Sequence, residues 1–337
     1  MGRAWIRNLL ERADVELVGL VDPMDEARSQ ALAMLPAELA PRVRCGADVG
    51  EMLDALQPDF LLDVTIPDAH CGVTCAALDR GIPVLGEKPM AATLEQGRRM
   101  VEASRRSGAL YMVSQSRRFD GRLQAVCDAV LRGEIGQLHT LNVDFYVGAH
   151  FDGFRAQMQH PLLLDMAIHT LDAARAIAGD AVPHRVFCRA FNPPGSWYAG
   201  MASASALFEM TGRDGSAIHF CYCGSWCSEG HRTSWEGSWR CIGTKGTLLW
   251  DGYDGISVAT PRPTAQLVWE DDVRPVESQS GAVGIRGSLG AFLEALRSGQ
   301  LPACHAEDNI HSLAMTLAAM QSADTGQPVE IQTWPVT

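Results

Sequence analysis

Between Asp14 and Val113 short apolar runs alternate with amphipathic stretches, and this alternation constrains the fold more than any other feature of the chain. The runs at 16–21, 59–64, 83–85 and 110–113 are too short for buried helices and rich in Val and Leu, which predicts strands. The intervening stretches 24–35, 51–56, 69–79 and 94–107 predict helices. Consecutive strands separated by helices pair in parallel. The expected architecture is therefore an α/β, Rossmann-like doubly wound parallel sheet, whose strands present their carboxyl ends to a ligand crevice.

Beyond Ser116 the texture changes. Helices are predicted at 121–132 and 162–178, followed by alternating strands and turns over 185–259 that carry Phe187, Phe208, Phe220, Tyr222, Trp226, Trp239 and Trp250. This predicts an α+β domain with a large, mostly antiparallel open sheet, one face packed and the other partly open. The aromatic face is expected to form a subunit interface, giving a homodimer or homotetramer; a monomer with both faces covered is the alternative. Helices at 287–297 and 306–320 are expected to pack back against the body. A length of 337 residues suits two domains, set at 1–116 and 117–337.

A formal charge of −12 with no basic cluster argues against nucleic acid or a membrane surface as partner. No apolar run approaches the roughly twenty residues of a membrane helix, and the first residues lack a secretory apolar core, so a cytoplasmic protein is expected. The ten cysteines are scattered, as reduced thiols are. Cys221, Cys223 and Cys227 lie near His219, His231 and Cys241 but lack paired C-x2-C spacing, so no metal is predicted.

Two constellations bear chemistry. Strand 82–85 runs into Gly86-Glu87-Lys88-Pro89 and puts an amine where an open parallel sheet holds its ligand, although a surface lysine capping a loop reads the same. Within the apolar stretch 162–172, Asp165 and His169 are four positions apart and share a helix face. They form a candidate proton-transfer pair; the bland reading is a helix-start acid and a satisfied buried histidine.

Thr65-Ile66-Pro67-Asp68-Ala69-His70, Gly86 to Ala91, Ser116 to Asp120, Gly133-Glu134-Ile135-Gly136, Asp165-x3-His169 and Gly243 to Thr247, in this order and spacing, resemble the glucose-fructose oxidoreductase, inositol dehydrogenase and rhizopine-catabolism (Gfo/Idh/MocA) family over nearly the whole chain. The resemblance implies a two-domain, NAD(P)-dependent oxidoreductase that moves a hydride between nicotinamide and a sugar, polyol or related hydroxy compound. It implies His169 as proton acceptor, Lys88 as a bridge between nicotinamide and substrate (or itself the base), and Asp165 as holder of a substrate hydroxyl or as a group that tunes the other two. Thr65, Pro67, His70, Glu87 and Lys88 are implied to lie along the cofactor. Arg118 either reaches substrate or makes a structural ion pair. Where relatives carry a glycine-rich lead-in, this chain has Met158-Gln159-His160-Pro161, so His160 is a substrate candidate, and 147–159, with His150, Asp152 and Arg155, is expected to be a pocket loop. The same fold also serves NAD-dependent glycoside-cleaving enzymes and non-catalytic dinucleotide-binding regulators, and both stay open.

Gly2, at the head of a predicted helix 3–12, matches the third glycine of the dinucleotide loop. The strand and the two glycines that usually precede it are not in the sequence, which leaves a late start, a fragment or a loss of dinucleotide binding. Asp22, about twenty residues on, stands where an acid accepts the ribose hydroxyls and repels a 2′-phosphate. NAD is accordingly expected over NADP; a turn-forming role in Val21-Asp22-Pro23 is the alternative.

Overall fold

The computed structural model describes residues 1–262, 270–278 and 281–334. The chain divides into two units, Met1–Ser114 with Ile285–Glu307, and Gln115–Gly284 with Asp308–Thr337.

In the first unit the elements run α1 (Gly2–Leu10), β1 (Gly19–Val21), α2 (Asp25–Leu32), β2 (Arg44–Gly46), α3 (Val49–Leu56), β3 (Leu61–Asp63), α4 (Pro67–Leu78), β4 (Val84–Gly86), α5 (Leu94–Ser107) and β5 (Tyr111–Val113). Local chemistry sets the helix ends. Asp48 caps α3 by accepting from the Glu51 amide, and Thr93 with Gln96 forms a reciprocal capping box that opens α5. Gly108, at φ 71°, closes α5 in the left-handed conformation. All strand pairing in this unit is parallel, but it falls into two ladders, β1-β2 and β3-β4-β5, with β1 and β3 not hydrogen-bonded to each other. The apolar side of α1 packs Ile6 with Leu35 and Val43.

The segment Ile285–Glu307, which a single boundary after residue 116 assigns to the second domain, belongs to the first unit. Phe292 meets Phe60 edge-on at 5.5 Å, Ser114 Oγ bonds Ser288 Oγ at 3.0 Å, and the Val113 amide donates to Cys304 O at 3.0 Å along the free edge of β5. A chain segment thus returns to cover a sheet edge that the linear pattern leaves exposed.

The second unit holds α6 (Gly121–Leu131), β6 (Leu138–Tyr146), α7 (Ile168–Ile177), β7 (Val182–Phe191), β8 (Ser203–Thr211), β9 (Ala217–Ser225), β10 (Ser238–Gly243), β11 (Thr247–Trp250), β12 (Ile256–Pro261), β13 (Asp271–Pro275) and β14 (Val329–Glu330); α8 (Gly284–Ser298) and α9 (Ala306–Thr325) straddle the unit boundaries. Its nine-stranded sheet has the order β13-β12-β11-β10-β6-β9-β8-β7-β14. Every pairing is antiparallel except β6 with β9.

The sheet alternates as expected, but the aromatic side chains lie on its closed face. Phe208, Phe220, Trp239 and Trp250 form a continuous stack with centroids 5.5 to 6.4 Å apart, and none is more than 2% exposed. Of the seven aromatics named above, only Phe187 faces outward, at 42% exposure. The aromatic stripe is therefore intramolecular core, which corrects the expectation that it forms a subunit interface. The opposite face is a mixed row in which Phe187, Leu207, Cys221, Asn142, Arg240 and Leu249 follow one another across the register. Among the described residues no helix is long and apolar enough to cross a membrane.

Candidate active site

In the first unit the candidate residues gather at the carboxyl ends of β3 and β4. Asp63, the last residue of β3, is 1% exposed and is surrounded by donors: Thr65 Oγ1 at 2.6 Å, the Thr65 amide at 3.1 Å, His70 Nδ1 at 3.0 Å, and Thr74 Oγ1 at 2.8 Å. Burial alone would raise its pKa, yet His70, Thr65 and Thr74 together hold it below the usual carboxylate value. This network fixes the turn Thr65-Ile66, which is exposed, and delivers Pro67 to the first position of α4, where its missing N–H costs nothing. The His70 ring is 1% exposed, and its Nε2 has no partner among the described residues.

Glu87, also buried, is occupied by the turn itself: Oε1 accepts from Trp5 Nε1 at 2.7 Å and Oε2 from the Lys88 amide at 3.2 Å. The role of Glu87 is to tie α1 to the end of β4, not to present a carboxylate to a ligand. Lys88 follows, half-buried.

At the other strand end, Asp22 Oδ1 accepts from the Met24 amide at 2.8 Å, the turn bond expected of an Asp before Pro, while Oδ2 has no hydrogen bond among the described residues. Arg28 is committed to the Asp22 carbonyl and to Asp25. α1 starts with no side-chain cap and no acid in its first turn, leaving its N–H groups and positive dipole end uncompensated. A Cβ on Gly2 would meet nothing within 4 Å.

The second unit carries Asp165 and His169. Residues Leu162–Ala167 form a π-helical turn that runs directly into α7, a distortion of the uniform α-helix the spacing predicts and one frequent at functional sites. From His160 to Ala174 only Leu164, Asp165 and His169 are even partly exposed. The carboxylate and the imidazole thus share the partly exposed side of a largely buried helix.

The segment before this turn supplies a third group. Arg155, in the single turn Gly153–Gln157, donates from Nε to Asp165 Oδ2 at 2.5 Å, with its guanidinium 5.4 Å from the Phe151 ring and 4.7 Å from the Phe154 ring. Around it, His150 stacks on Trp197 at 3.6 Å, Tyr198 stacks on Trp226 at 5.4 Å, and Phe151 tilts against Trp226. The Arg155–Asp165 pair joins separate elements, so no spacing in the sequence announces it. The Asp63–His70 pair had a faint signal in an acid closing a strand seven residues before a histidine.

Backbone bonds clamp this loop: the Ala199 amide to Ala156 O and the Met201 amide to Gln159 O, both 2.8 Å. Between them sits Gly200, where a Cβ would stand 2.2 Å from the carbonyl oxygens of both Met158 and Gln159. Gly200→Ala is therefore expected to part the two strands of this clamp and to raise amide hydrogen exchange at Ala199 and Met201 by about tenfold or more. Unchanged protection at both amides would refute the steric argument.

Two candidates are placed elsewhere. Arg118 is 7% exposed and takes the structural alternative: it holds Asp172 through Nε (2.7 Å) and Nη2 (3.0 Å), and Asp180 through Nη1 (2.6 Å). Arg175 and Ser312 extend this network to Asp308. The ring of His160 is buried, its Nε2 2.9 Å from Asp324 of α9, so it supports the helix start and does not face a ligand.

Residues 1–115 match the family model described as oxidoreductase family, NAD-binding Rossmann fold, and residues 128–331 match its companion, oxidoreductase family, C-terminal alpha/beta domain. The chain is 28% identical over 297 residues to 1,5-anhydro-D-fructose reductase of Ensifer adhaerens, covering 85% of this chain and 83% of that one. It is 27% identical over 349 residues to inositol 2-dehydrogenase 2 of Saccharopolyspora erythraea, covering 99% and 94%. Among solved structures, an oxidoreductase from Agrobacterium radiobacter in complex with NAD+, L-tartaric acid and magnesium superposes with a TM-score of 0.79 at 22% identity, over 97% of this chain and 94% of that one.

Proposed function

Since this chain belongs to the Gfo/Idh/MocA oxidoreductase family, we propose that it is an NAD(P)-dependent dehydrogenase acting on a CH–OH group of a sugar, polyol or related hydroxy compound, with Lys88, Asp165 and His169 as its catalytic residues. The observation that carries the residue assignment is the shared exposure of Asp165 and His169. A carboxylate and an imidazole on the partly exposed side of a largely buried helix support contact with a ligand.

The first unit suits a dinucleotide in two respects: the unused Oδ2 of Asp22 and the buried, unpartnered Nε2 of His70. Residues Gly2, Asp22, Thr65, Pro67, His70 and Lys88 would hold it. When bound, nicotinamide supplies the hydride acceptor. His169 takes the hydroxyl proton of the substrate on an imidazole nitrogen, because loss of hydride from the carbinol carbon leaves an oxygen that must shed its proton. Lys88 Nζ stabilises the charge that develops on that oxygen. Asp165 accepts a hydrogen bond from a neighbouring substrate hydroxyl and fixes which carbon is oxidised. A screen of sugars and polyols with NAD, read by absorbance of the reduced cofactor, tests this reading; no substrate-dependent reduction across the panel would sink it.

NAD is the preferred cofactor in this reading, because Asp22 repels a 2′-phosphate and Arg28 is already committed to Asp22 and Asp25. Asp22→Ala is expected to lower the NAD-to-NADP ratio of kcat/KM by about tenfold, roughly the worth of one charge-assisted hydrogen bond. Equal or better use of NADP by the unaltered protein would remove the basis for this. Self-association is assigned to the mixed outer face of the nine-stranded sheet, with Phe187, Leu207 and Leu249 as its apolar contacts.

A further inference from the structure

Arg155 is unusually fixed for an arginine on a single helical turn. Two phenyl rings clamp its guanidinium, and Nε is bonded to Asp165, so most of the rotamer freedom a long side chain loses on binding is already gone. Its side chain is nevertheless 30% exposed. Nη1 and Nη2, which together carry four N–H donors, have no hydrogen-bond partner among the described residues. The other titratable cation of the loop, His150, is paired with Glu229 at 2.9 Å. A chain of net charge −12 does not collect anions by its overall field, so an acidic ligand must be held by a local cation.

From this geometry we propose that Arg155 reads a carboxylate on the substrate, and that the enzyme acts on a polyhydroxy acid of the aldonate or uronate type. The Nη pair forks the carboxylate. Asp165 takes a hydroxyl of the same molecule, and the exposed rings of Phe151 and Phe154 offer apolar surface to its carbon chain. The neighbouring Asp165 charge penalises the second negative charge of a phosphate more than the single charge of a carboxylate. This proposal deepens the dehydrogenase reading above and rests on it for the reaction. Its own content is the recognition of the acid.

Calorimetric titration of the full chain, with and without NAD, would compare D-gluconate with D-glucitol and D-glucuronate with D-glucose, and would include D-glucose 6-phosphate. At least one acid is expected to bind about tenfold or more tighter than its neutral partner. Arg155→Met should erase that ratio, and Arg155→Lys should keep part of it, because the charge remains and the fork is lost. Neutral partners binding as tightly as the acids, no binding of either acid, tighter binding of the sugar phosphate, or an unchanged ratio in Arg155→Met would each overturn the proposal. Because binding is read without turnover, a protein that discriminates acids yet never reduces NAD would sink the dehydrogenase reading alone. A working dehydrogenase that prefers neutral sugars would sink this one alone.

Discussion

His169→Ala and Lys88→Ala are each expected to lower the chemical step by about 10²-fold or more, the lower bound for a positioned acid-base group, while NAD binding changes far less. The two should differ in pH behaviour if one is the base and the other the electrostatic partner, since only loss of the base removes the acid limb of the rate profile. His169 is half-buried at the head of α7, where alanine favours the helix; an unchanged melting temperature in the variant would assign lost activity to the site and not to the fold. Single-turnover rates within a factor of a few of the unaltered enzyme would remove either residue from the mechanism.

The largest expected effect on stability comes from Arg118→Met. In the second unit three arginines, Arg118, Arg175 and Arg213, face three aspartates, Asp172, Asp180 and Asp308. Asp172 is 1% exposed and would lose its bidentate partner. Removing one member of a buried ion pair costs about 3–5 kcal/mol, because the charge left behind is neither hydrated nor compensated. For a unit of this size that is a fall of roughly 10 °C in the melting temperature. The double variant Arg118→Met/Asp172→Leu should recover much of the loss, since a packed apolar pair replaces the ion pair at similar volume. A single variant that melts within a degree or two of the unaltered protein would show that water reaches Asp172.

The elements most legible in the sequence were those whose ends carry their own chemistry. The helix over 94–107 was read to the residue, because Thr93 and Gln96 open it and Gly108 ends it. Strands 16–21 and 59–64 were read too long, being only Gly19–Val21 and Leu61–Asp63; apolar composition extends past the residues that find a ladder partner. β2, Arg44–Gly46, went unread because it has no β-branched residue and is one link of a two-stranded ladder. The spacing of Asp165 and His169 identified the open face of their helix but not its π-helical turn, which depends on tertiary packing. Composition identified the aromatic sheet; which of its faces is closed depends on what packs against it, so aromatics that read as an open face are intramolecular core. Arg118 and His160 show the same limit: a polar side chain in a motif reads alike whether it meets a ligand or a buried aspartate.

The parallel pairing of β6 with β9 has a consequence for how the protein is made. β6 ends at Tyr146, its first sheet partner begins at Ala217 and its second at Ser238. At a synthesis rate of roughly 5–20 residues per second, the central strand of the largest sheet waits several seconds, with Leu141, Val143 and Phe145 uncovered, before either neighbour has left the ribosome. The first unit waits longer, because the strand edge at Val113 is covered only when Cys304 arrives. The unit that holds Val113 is therefore completed only when Cys304 has been made, later than the pairing of β6, and the unpaired β5 edge is what a holding chaperone has longest to bind.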